Sequence, residues 1–68
     1  MTLSEDRRNE IEAEAMTEFA KHPHLGVEAV VVNIFGKISV VREGPNASEN
    51  WDLVQEVSNV VRWKYGLQ

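Results

Sequence analysis

Residues with the chemistry to act on another molecule are few in this chain and lie far apart. His22 and His24 flank Pro23, and two imidazoles at that spacing can form one edge of a metal site. A site needs more ligands, yet there is no cysteine and no third histidine, and no carboxylate is spaced to converge on the pair. No metal and no other cofactor is expected. Ser4, Ser39, Ser48 and Ser58 supply hydroxyls, but none has a local context that would activate it as a nucleophile. A glycine-rich phosphate loop, a nucleophile elbow and an HExxH helix are all missing from the sequence. At 68 residues, a domain that must also keep a core has little room for a pocket of several hundred Å3. Catalysis is not expected, and binding becomes the working expectation.

Three groups of residues are candidates for binding. The first is Trp63: on a helical wheel it falls about 130° from the centre of its segment's apolar stripe, on the polar side beside Asp52, Glu56 and Asn59. A tryptophan there has a large ring to bury and suits an anchor for another chain, unless the last helical turn folds it onto Pro45 or the first helix. The second is Glu10, Glu14 and Glu18, an acidic face that either is simply solvated or meets a basic partner. The third is Val30, Val32 and Val41, in the segment holding most of the chain's unbroken apolar sequence.

That segment, VEAVVVNIFGKISVVRE from Val27 to Glu43, reads as a β-hairpin with strands at about 27–35 and 38–43. Gly36 can take the positive φ of a tight connection. A Gly36-Lys37 loop would set Phe35 opposite Ile38, Val32 opposite Val41 and Val30 opposite Glu43. Val27, Ala29, Val31 and Phe35 point one way while Val30, Val32 and Ile34 point the other. Both faces are apolar, so either helices cover both, or one face and its strand edge await a partner.

The flanking segments read as helices. Ile11, Ala15, Met16, Phe19 and Ala20 recur at helical spacing within a helix of about 4–21, for which Thr2 and Ser4 are rival caps. Pro23 stops that helix, and Leu25-Gly26 leads into the first strand. After Gly44-Pro45, a second helix of about 48–65, capped by Asn46 or Ser48, carries Leu53, Val54, Val57, Val60, Val61 and Tyr65 in a stripe with Trp51 at its margin. Its β-branched run Val57 to Val61 would also suit a strand, but the longer periodicity favours helix. The fold class is thus α+β: one small domain, helix-strand-strand-helix, with an antiparallel hairpin packed against two helices.

Composition narrows the partners. Eleven acids against seven bases give a net charge of −4, which opposes general binding to a phosphate backbone, so direct nucleic-acid contact is not expected. No apolar run reaches the roughly 18 residues of a membrane span, and no leader opens the chain, so a cytoplasmic protein is expected. Small domains are marginally stable, and without disulfides they often recruit a partner.

The run of elements resembles that of a BON domain. The likeness rests on the opening amphipathic helix, the linker His22-Pro23-His24-Leu25, the strand entering Asn33-Ile34-Phe35-Gly36-Lys37-Ile38, the second strand ending at Gly44 and the closing helix ending at Gly66. BON domains continue from that glycine into a third strand, where this chain has Leu67 and Gln68. The resemblance implies envelope or phospholipid binding. Size and acidity alone resemble those of phage and mobile-element inhibitors, such as anti-CRISPR proteins, that act as decoys for host nucleic-acid enzymes. From the residues themselves, the first expectation is a non-catalytic protein-binding module that forms a homodimer through the hairpin.

Overall fold

A computed structural model describes residues 2–67 of the chain. It is an α+β domain in which α1 (Glu5–Ala20), β1 (Ala29–Val32), β2 (Ile38–Arg42), α2 (Pro45–Glu49) and α3 (Trp51–Lys64) follow one another, with a 3-10 turn at Pro23–Leu25 between α1 and β1. The two strands form an antiparallel hairpin. α1 packs on β1 and on α3, and the core lies among these elements. α1 contributes Ile11, Ala15 and Phe19, the hairpin Val30, Val32 and Ile38, and α3 Val54, Val57 and Val61, closed by Leu25 and Ala47. Full burial of a side chain of this kind stabilises by about 1.5–3 kcal/mol, so these few positions hold the fold together.

Ser4 is the cap of α1: its hydroxyl accepts the Arg7 N–H at 3.1 Å, and Glu5 and Asp6 occupy the first turn where the helix dipole favours negative charge. The capping box from Thr2 is not formed. Beyond α1, Gly26 takes φ 66°, and a Cβ there would meet the backbone of Gly44 at 3.2 Å. Its carbonyl accepts the Gly44 N–H at 3.0 Å. This contact lays the entry to the hairpin against its exit.

The second helical segment is broken, where one continuous helix was expected. α2 starts directly after Gly44 with Pro45 at its first position, and Asn50 (φ −118°, ψ 40°) separates it from α3. Neither Asn46 nor Ser48 caps it; the Asn46 side-chain amide instead donates to the His24 carbonyl at 3.0 Å. The apolar spacing continues across the break because Ala47 and Val54 both reach the core, which is why periodicity alone reads through it.

The hairpin turn also departs from expectation. Asn33 N–H donates to the Lys37 carbonyl at 3.0 Å, while the Asn33 side-chain oxygen accepts the N–H groups of Phe35 and Lys37, both at 2.9 Å. The loop is thus Ile34-Phe35-Gly36, with Gly36 at φ 86° supplying the left-handed residue that closes a three-residue connection. Val32 faces Ile38, Val31 faces Ser39 and Val30 faces Val40. The pairing therefore differs by three residues from the one a Gly36-Lys37 loop would give. An odd shift carries β2 side chains to the opposite face. Val41, expected on the face of Val30 and Val32, is the extra residue of a bulge between Val40 and Arg42 and is exposed instead.

Candidate protein-binding surface

The hairpin is covered on one face only. Val30 and Val32 are fully packed within the core together with Ile38, so they are not contact residues, contrary to their grouping with Val41. On the opposite face Val31 is 50% exposed and Val41 is 60% exposed, and at the turn Phe35 is 68% exposed. A valine run carries no internal phase, and only the turn geometry decides which valines go inward. Val31 and Phe35 were not singled out from the sequence as exposed apolar residues. The signal available for them was the failure of strict alternation, which leaves apolar side chains over for the second face.

β2 is flanked on its open side by a groove of about 290 Å3 between the strand and α3, lined on the strand side by Lys37, Ile38, Ser39 and Val40. Trp51, Val54, Gln55 and Ser58 form the α3 wall. Trp51, expected at the buried margin of the stripe, is 46% exposed here. A hollow of about 470 Å3 lies over the start of α3 and is lined with Glu49, Asp52 and Glu56. Concavities of these volumes exceed what the size of the chain led us to expect. The α3 hollow gathers carboxylates without a base or a nucleophile set beside them beyond Ser48.

Trp63 lies 67% exposed on α3, and the last turn does not fold it inward. It lines neither the groove beside β2 nor the hollow over the start of α3. Tyr65 instead turns toward α1, where the Arg7 guanidinium sits 4.6 Å from its ring centre, a cation–π contact.

Three acids of α1, Glu10, Glu14 and Glu18, are engaged within the chain. Glu10 pairs with Arg7 at 2.6 Å, and Glu14 lies 3.5 Å from the Lys64 ammonium. Glu18 accepts from Lys21 at 3.0 Å and from Lys64 at 3.1 Å. Hydrogen bonds from Lys21, then Lys64, hold the Glu18 carboxyl below its ordinary value of 4.5, against the opposing effect of desolvation. The Glu18 contact in turn raises Lys64 above 10.5. This bracket joins α1 to α3 across some fifty positions of sequence.

His22 and His24 meet edge to face with ring centres 6.2 Å apart. Among the described residues, no group of three or more His, Cys, Asp or Glu side chains is placed to hold a metal ion. No helix among them is long and apolar enough to cross a membrane.

Set against known proteins, the chain matches no protein-family model, no curated protein and no solved structure. Its functional reading therefore rests on its own geometry.

Proposed function

We propose that this protein is a non-catalytic protein-binding module that self-associates through its β-hairpin. The observation that carries this reading is the uncovered face of the hairpin, where Val31 and Val41 stand in solvent while their neighbours Val30 and Val32 are packed into the core. Valine and aromatic surface gathered on one side of a two-stranded sheet is a contact surface in search of cover, and a strand without a neighbour presents unpaired backbone groups beside it.

A second copy is favoured as partner by charge. The hairpin segment from Val27 to Glu43 holds Glu28, Lys37, Arg42 and Glu43 and is neutral, whereas the segment through Lys21 carries six acids and three bases. Two copies of an acidic protein meet with least repulsion where each is neutral. Light scattering coupled to size exclusion tests this. A mass of twice 7.7 kDa at tens of micromolar supports it, and a single-chain mass throughout overturns it. Trp63, which does not line the groove beside β2, is the anchor for a different chain in this reading, and the pairing of Glu14 and Glu18 with Lys64, with Glu10 held by Arg7 within α1, supports an internal role for these acids.

A further inference from the structure

Resting on that reading, we infer that two copies join along β2, antiparallel and centred on Ser39, to form one continuous four-stranded sheet. The register follows from the backbone. Asn33 bonds to Lys37 across the hairpin, and bonded pairs alternate with non-bonded ones in an antiparallel ladder. Val31 and Ser39 are therefore the next bonded pair, which leaves the N–H and C=O of Ile38 and of Val40 directed away from β1. The bulge at Val41 ends this alternation, and beyond it the Arg42 carbonyl turns back to accept from Glu28 N–H at 2.8 Å. Only Ile38 and Val40 thus offer a partner strand both a donor and an acceptor. The symmetric register that uses all of these groups sets Ile38 against the partner's Val40 and Val40 against the partner's Ile38, with Ser39 facing its own copy at the two-fold axis. Centring on Val40 instead would set Ile38 against Arg42, whose carbonyl is already engaged.

Side chains agree with this register. The alternation that sends the strand's inner residues toward the helices leaves half-buried Val40 for the second copy to cover, beside the groove walled by Trp51 and Val54. On the outer face Lys37 would stand opposite the partner's Val41. The acidic helix α1 packs on β1, the far strand, and stays clear of the junction.

The native absence of cysteine allows a direct test by single substitution. In the proposed register Ser39 and its copy form a non-bonded pair with Cα atoms about 4.5 Å apart, within the span a disulfide bridges. Val41 and its copy would be separated by about 13 Å along the strands at roughly 3.3 Å per residue, too far to bridge. Ser39→Cys and Val41→Cys, both at exposed positions, are oxidised under the same mild conditions after circular dichroism has shown each folded. The expected result is a covalent dimer from Ser39→Cys at least tenfold in excess of that from Val41→Cys. Equal yields, or a preference for Val41→Cys, in a protein that light scattering shows to be dimeric would overturn the register while leaving hairpin self-association intact. A single-chain mass at every concentration would overturn both.

Discussion

Val30 and Val41 are the same residue type in one hairpin, yet one is sealed in the core and the other stands 60% exposed. The inner face of the hairpin, with Val30, Val32 and Ile38, is covered by the protein's own helices. The outer face, with Val31 and Val41, has nothing over it. Hydrophobicity does not separate the two, since both faces are built from β-branched residues. What separates them is which face the helices of this small chain cover.

Substitutions that exchange the properties of the two faces test that difference. The largest effect is expected from Val32→Lys, which places an unpaired ammonium in the core and should cost at least about 3 kcal/mol. That is most of the stability a domain of this size can hold, so circular dichroism should show loss of the cooperative transition. A thermal midpoint close to that of the unaltered protein would mean that the inner face is not the core. Asn33→Ala comes next. Removing its two side-chain hydrogen bonds to the turn should destabilise by about 1–2 kcal/mol, read by urea titration, and an unchanged midpoint would deny the Asn33 side chain its part in setting the strand register.

On the outer face, Val41→Lys should leave folding within about 0.5 kcal/mol, because the side chain contacts mostly water. The same change should weaken self-association by at least tenfold, about 1.4 kcal/mol, since it sets a lysine opposite the partner's Lys37. Trp63→Ala should change neither folding nor dimer mass measurably, and a dimer that dissociates on this substitution would move the interface from the hairpin to α3. The smallest effect belongs to the bracket between the helices. The folded pKa of Glu18 is depressed, so its stabilisation is present above the ordinary carboxylate value of 4.5 and is lost as pH falls through the lower folded value. Lys64 is raised, so its share is present below 10.5 and is lost as pH climbs through the higher folded value. Thermal midpoints of Glu18→Gln and the unaltered protein should therefore differ most between these limits and converge in acid.

The order of elements was legible in the sequence because each helix carries a long apolar repeat, and because Pro23 and the Gly44-Pro45 pair punctuate them. Register was not, since it depends on how the Asn33 side chain folds back on the turn, and a run of valines fits either phase. The break at Asn50 was hidden by apolar spacing that stays consistent on both sides of it. Exposure of Trp63 could be read from its angular position alone. The pairing of Glu14 and Glu18 with Lys64 could not, because it joins residues far apart in the chain.

Sedimentation equilibrium of the unaltered protein beside Val41→Lys tests the central claim most directly. The account predicts a concentration-dependent mass that reaches twice 7.7 kDa for the former, and a folded single chain for the latter over the same range. A single-chain mass for both, at concentrations up to several hundred micromolar, would contradict it.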